Sequence, residues 1–318
     1  MNFTPIDLSQ IAAPDIVETL SFETIFAEML ADLQARDTSF TALLESDPAY
    51  KILEVAAYRE LIIRQRVNDA ARGVMLSTAT GTDLDQLAAN FNVSRLLITP
   101  ADPLAIPPVE AVYESNSALR ARAQLAFEGL STAGPVNSYI FHAMTASGLV
   151  KDADVDAVTF HLDGSSAVVI DYAANLATPE PGNVAVTVLS TAGDGTADAG
   201  LLAAVTAAVN SETVRPLTDR VVVRSAEIVN YAVTATLYFY GGPSSATVLA
   251  AATAALNAYI ASQRKIGYDV TRSGLFAALH QPGVQNVTLT SPATDVVIGN
   301  HQSAYCTAVT LTNGGVGV

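Results

Sequence analysis

The segment Glu45–Leu97 constrains the chain more than any other, because it holds a helix too long for a small domain to cover. Asp47 is a good N-cap and Pro48 occupies the first helical position, where its missing N–H costs nothing and its fixed φ is already helical. A helix from about Pro48 to Leu76 spans about 42 Å at 1.5 Å per residue. Gly81 is read as its stop, and Thr82 with Asp85 three residues on as a capping-box restart before Leu84, Leu87, Ala88 and Phe91. Apolar residues occupy two sides. Leu53, Ala57, Leu61, Val67, Ala71 and Val74 form one row, and Ile52, Ala56 and Ile63 a second. Along the second row stand Arg59 and Arg66, seven residues apart, while Glu60 and Arg64 are spaced to pair with each other. Exposed arginines are ordinarily solvated and contribute little. On an apolar row they also suit acidic groups of another subunit, so Ile52, Ala56, Arg59, Ile63 and Arg66 form the candidate interface.

The composition fits an ordered protein. Of 318 residues, 50% are hydrophobic and 15% charged, enough for two or three cores. The formal charge of −15 argues against nucleic acid or an anionic membrane surface as a partner, since both select clustered Lys and Arg. Acid gathers at the front, with Asp7, Asp15, Glu18, Glu23, Glu28, Asp32, Asp37, Glu45 and Asp47 against Arg36, an arm suited to a basic helix such as 59–72. Cys306 is the single cysteine, so no intrachain disulfide forms and the chain reads as cytosolic. Neither a signal peptide nor a continuous apolar run of membrane-spanning length is recognised.

Four segments follow from patterning, and together they predict an α+β fold. Residues 1–98 form a helical, bundle-forming region that includes a helix capped by Ser21, with the row Phe22, Phe26, Met29 and Leu33. Prolines 100, 103, 107 and 108 mark 99–114 as a linker. Residues 115–229 and 230–318 are two α+β domains, with helices expected near 198–211, 245–262 and 272–280 and strands near 150–160, 166–172, 183–190, 219–229, 230–240, 284–290 and 304–312. An ungapped shift of 47 lays 183–210 on 230–257, matching a strand, a glycine (Gly195 on Gly242), an alanine-rich helix and a terminal Asn. A looser echo joins the segment after Val136 to the segment after Thr271, each a helix, a turn with Gly and an alternating strand. This is a duplicated strand-turn-helix element.

Chemical motifs are weak. The sequence DADVD at 152–156 has the Asp spacing of a calcium loop but Ala157 where Gly is needed, so Asp152, Asp154 and Asp156 are expected to face water while Ala153, Val155 and Ala157 face a core. The glycine-rich 192–200 lacks the Lys of a phosphate loop and reads as a turn with an N-cap at Thr196. His142, His161, His280 and His301 show no metal-binding spacing. His301 and Cys306, near Asp295, are expected to be packing residues. No catalytic residue, metal site or cofactor is assigned.

The residues SDPAYKILEVAAYRE, RQRVNDAARGVML and ATGTDLDQLAANFNVSRL, then EGLSTAGP, VRPLTDRV, PGVQNVTLTSP and AYCT, closely resemble the baseplate assembly protein J family of contractile-tail bacteriophages and R-type pyocins. They run in family order from about 45 to 307. Residues 1–20 and the terminal NGGVGV lie outside the resemblance, and a small residue stands before ATG where the family commonly has a bulkier one. The resemblance implies a structural wedge component, not an enzyme. Two copies would pair with one tail protein I-like partner, and six wedges would surround the central spike hub. The N-terminal helices would enter a core bundle and the C-terminal domains would link neighbouring wedges. Sheath initiator and spike or hub components are further implied partners, with assembly in the host bacterial cytoplasm and residence in the baseplate of the released particle. A tube or sheath subunit is the structural alternative. A tail-associated hydrolase is the enzymatic one, and it lacks a recognisable acid pair or triad.

Overall fold

The computed structural model describes residues 6–8, 11, 12, 14–40, 44–131, 134–242 and 244–317. The chain is α+β and divides into two compact units. One comprises residues 4–94 with 115–123; the other holds 95–114 and 124–318.

The helical unit is built on α1 (Phe22–Arg36), α2 (Pro48–Gly73), α3 (Gly81–Ala89) and α4 (Asn116–Leu125), the last reaching the unit's border. Ser21 caps α1 by accepting the Thr24 N–H. Phe26 meets Tyr50 of α2 at 4.7 Å between ring centroids, and Ile25 is fully covered. Asp47 caps α2 by position only, its carboxylate instead accepting the Leu44 N–H at 2.7 Å. α2 ends at Gly73, earlier than Leu76, and at 26 residues is about 39 Å long. The restart also differs: Thr80 holds the N-cap position of α3 and Gly81 is its first residue. Between the two helices, Arg120 of α4 donates to the carbonyls of Leu76 and Ala79, which have no helical partner.

The second unit opens with the proline-rich segment, which is ordered. β1 (Leu97–Thr99) and β2 (Val112–Tyr113) pair antiparallel, and Asp102 and Val109 bridge further out. α5 (Val136–Ala146) leads into β3 (Val150–Ala157). After the hairpin β4 (Thr159–Leu162) and β5 (Val168–Tyr172), β6 (Asn183–Ser190) lies antiparallel to β3 and, through α6 (Ala199–Val209), parallel to β7 (Arg220–Ser225). The final sheet has β8 (Glu227–Phe239) at its centre. α7 (Ser245–Gln263), α8 (Arg272–Leu279), β9 (Val284–Ser291) and β10 (Gln302–Val316) follow, with β9 antiparallel and β10 parallel to β8.

The two sheets are one arrangement in permuted order. Under the shift of 47, buried Leu201, Val205 and Val209 of α6 fall on buried Val248, Ala252 and Leu256 of α7, and Val186 and Val188 fall on Val233 and Ala235. Gly195 and Gly242 both have positive φ. The looser echo completes the match: α5 precedes antiparallel β3 as α8 precedes antiparallel β9, but the first pair comes before its central strand and the second after it. α7 is long and apolar enough by composition to cross a membrane, with a mean hydropathy of 1.3. Here it lays Val248, Ala252 and Leu256 on a sheet, and the helix is a core element. The cap of α6 is Asp198, which accepts the Leu201 N–H at 2.8 Å, and not Thr196.

Two expectations about stability follow. Asn68, buried in α2, accepts the Glu18 N–H and donates to the Glu18 carbonyl, at 3.0 and 2.9 Å. Asn68→Ala should cost about 1–3 kcal/mol and speed hydrogen exchange around residue 18, which amide exchange read by mass spectrometry will check. Lys151 is pulled down to about 8 by burial, with the Arg264 cation adding to the shift. The native state then releases this proton near pH 8, while an unfolded Lys holds it to about 10.4. This group's contribution therefore rises with pH across that window. Lys151→Met should flatten the rise, seen as a smaller gain in Tm, relative to wild type, between pH 7 and 9.5.

Candidate assembly interface

The five candidate residues lie together on the uncovered side of α2. Ile52 is 69% and Ile63 63% exposed, and Ala56, Arg59 and Arg66 are exposed between and beyond them. On the covered side lie Leu53, Ala57, Leu61, Arg64, Asn68 and Ala71. Two residues of the predicted covered row depart from it. Val67 and Val74 are exposed, since Val67 stands six residues from Leu61, a step that turns off the side α1 and the acidic arm occupy, and Val74 follows seven residues later, two turns along on the same side as Val67. Val55, Tyr58 and Ile62 are also exposed and widen the apolar face; their spacing from Ile52 by three, six and ten residues was visible in the sequence. An open groove runs beside this face, lined by Leu20, Tyr58, Ile62, Ile63 and Ala70 with Arg59, Arg66, Asp69 and Asp83.

Electrostatics separates the arginines. Arg64 donates to Glu60 at 2.9 Å and lies 3.4 Å from Glu18, which raises its pKa, the Glu60 hydrogen bond being the main cause. The acidic arm thus meets the basic helix within the chain at this point. Among the described residues no carboxylate pairs with Arg59 or Arg66. Arg59 and Arg66 thus stand unmatched beside exposed Ile52 and Ile63.

The motif residues elsewhere are occupied by structure. Asp152 does not face water as expected: its carboxylate accepts the N–H groups of Ile266 and Ala153, and burial raises its pKa. Asp156 accepts from Tyr172 and, at 2.7 Å, from Asn300. Ala157, expected in the core, is exposed at the end of β3. The reason is that the Asp side of β3 is turned toward the last sheet rather than solvent. No group of three metal-ligating side chains occurs among the described residues. Asp295, His301 and Cys306 have separate partners: Asp295 accepts the Arg272 N–H, His301 lies 3.2 Å from Glu227, and Cys306 lies 3.4 Å from the Ala308 carbonyl. Burial pushes the Cys306 thiol up, the reverse of what a nucleophile needs. His142 is pushed down by burial, its ring set edge-on to Phe141.

A bare apolar helix face flanked by unmatched cations, with two linked α+β domains behind it in the chain, defines a protein built to associate. Comparison with known proteins gives the class its family. Residues 45–102 match the baseplate J-like N-terminal domain, 131–225 the baseplate J-like central domain and 231–312 the baseplate J-like protein C-terminal domain. The chain belongs to the baseplate J-like family. It is 46% identical over 317 residues to a protein named baseplate protein J of Escherichia phage P2, with 98% of each chain covered.

Because the Cys306 thiol ionises above the ordinary range, iodoacetamide at pH 7.5 should label the folded protein far more slowly than the unfolded chain. Mass spectrometry of timed aliquots reads this, and equal rates would contradict the buried setting.

Proposed function

We propose that the chain is a structural wedge component of a contractile-tail baseplate, and that the exposed face of α2 is where its wedge is assembled. The observation that carries the reading is the coincidence on one helix side of Ile52, Ala56 and Ile63 with Arg59 and Arg66, cations that no described carboxylate pairs. An apolar face of this length is a liability for a chain alone and an asset in a helical bundle. In this reading a second copy supplies one neighbouring helix and a tail protein I-like partner another. Carboxylates of those neighbours meet Arg59 and Arg66, which is a pairing with planar donors that Lys does not reproduce. Six such wedges close around the spike, with sheath initiator and hub components as further neighbours. Assembly takes place in the host bacterial cytoplasm. The role is structural, and no step of it calls for a catalytic group.

The isolated chain should self-associate or aggregate, and co-expression with the neighbouring tail protein should yield a soluble complex with two copies of this chain per partner. Ile63→Asp should abolish that complex, because the carboxylate would be buried without a partner at a cost of several kcal/mol. Arg66→Glu should weaken it. Light scattering and native mass spectrometry test all three; an Ile63→Asp variant that assembles as wild type does would overturn the assignment of this face.

A further inference from the structure

The last strand carries an edge that is open beyond its first residues. β10 lies at the border of its sheet and pairs with β8 on one side. On the other side, among the described residues, an isolated bridge from Ile266 to Ser303 covers its start and no strand follows. Natural edges are usually blunted by charge, proline or a covering element. Beyond that bridge, among the described residues, this one has none of these: no Asp, Glu, Lys, Arg or Pro follows Asp295 in the sequence. Register irregularities at Cys306/Ala308 and Asn313/Val316 bound a regular run, Ala308 to Asn313, all of it exposed except half-buried Leu311.

We propose that this run pairs antiparallel with the same run of a second copy, centred on Thr310. This deepens the wedge reading, on which it rests for the premise that copies meet. Two features of the strand choose a second copy as occupant. The chain carries a formal charge of −15, so two copies approach with least repulsion along a strip that has no charge at all. The run is also self-complementary. With Thr310 opposite Thr310 of the second copy, Val309 meets the second copy's Leu311 and Ala308 meets its Thr312. The Val309–Leu311 pairs are apolar on both sides and the central pair is Thr with Thr, pairings that stabilise adjacent strands, while Ala308 and Thr312 form a small mixed pair at each end. Faces match as well. Val309 and Leu311 register with buried Val233 and Ala235 on the helix-covered side of the sheet. A two-fold axis through Thr310 keeps residues of equal parity on one side, so both helix layers would cover the same face of a continuous six-stranded sheet. Such a contact is isologous and closed.

The test uses full-length protein. Copies carrying Cys306→Ser and Thr310→Cys should form a disulfide-linked dimer under mild oxidation, because directly opposite strand positions lie within bridging distance. Copies carrying Thr288→Cys, on the opposite border strand, should not. With Ile63→Asp present to silence α2, Thr310→Lys should shift the chain from dimer to monomer in sedimentation, since like charges would oppose each other across the axis. An equal mixture of Thr310→Lys and Thr310→Glu copies should restore the dimer. Thr310→Lys copies that remain folded by circular dichroism and dimerise as before would overturn the proposal, as would failure of the Thr310→Cys crosslink. Either failure beside an intact Ile63-dependent complex leaves the wedge reading standing. Loss of the Ile63 effect with the crosslink retained removes the wedge reading alone.

Discussion

A helix of 26 residues set against one of 15 cannot bury both of its apolar sides, and most features of the helical unit answer to that mismatch. α1 and the acidic arm cover one side through Ile25, the Phe26–Tyr50 contact and the Asn68 clamp on Glu18. Arg120 then holds the Leu76 and Ala79 carbonyls in the turn beyond the end of α2. The opposite side keeps its isoleucines in water. A folded chain pays for such a face only if something else removes it from solvent, and burying apolar area is the dominant favourable contribution in association.

The two α+β domains solve a different problem with one device. Each places a central strand between an antiparallel and a parallel neighbour and lays two helices on one face of the sheet. Three strands give little core unless the central strand is apolar on its covered side, and Val186 and Val188 of β6 and Val233, Ala235 and Leu237 of β8 are essentially closed to solvent. The order of the parts differs between the domains, but the packed object does not, because contacts depend on which strand neighbours which and not on the order in which the ribosome supplies them.

Much of this was legible in the residues. The cap at Ser21, Pro48 at the first helical position and the shift of 47 specify elements through local chemistry, and the fold reproduces them. Exact boundaries were not legible: α2 stops at Gly73, where the Met75 N–H and the Thr78 hydroxyl close on the Arg72 carbonyl, and α6 is capped by Asp198 where Thr196 offered an equally good hydroxyl. The alternation of DADVD correctly gave a half-buried strand, yet could not say that its Asp side meets the Ile266 backbone instead of water. That α2 has two apolar sides was readable from its spacing, although Val67 and Val74, grouped with the covered row, lie exposed. What periodicity could not supply was the position of α1, which decides which of two apolar rows is left bare. The unprotected edge of β10 was announced by the absence of charge after Asp295, a signal carried by missing residue types rather than by a motif.

Between β7 and β8 stands one residue, Ala226. Its N–H continues the central ladder onto the Val188 carbonyl, and the next N–H, that of Glu227, already bonds the His301 carbonyl in the last sheet. One extended residue spans at most about 3.6 Å, so the connection has almost no slack. Tension applied to β8 is delivered to β7 along the backbone itself, without a loop to take up length. Asn300 backs this joint sideways, holding Asp156, Tyr172 and Asn175 at once. A pull on one sheet therefore has no flexible tether in which to be lost before it reaches the other.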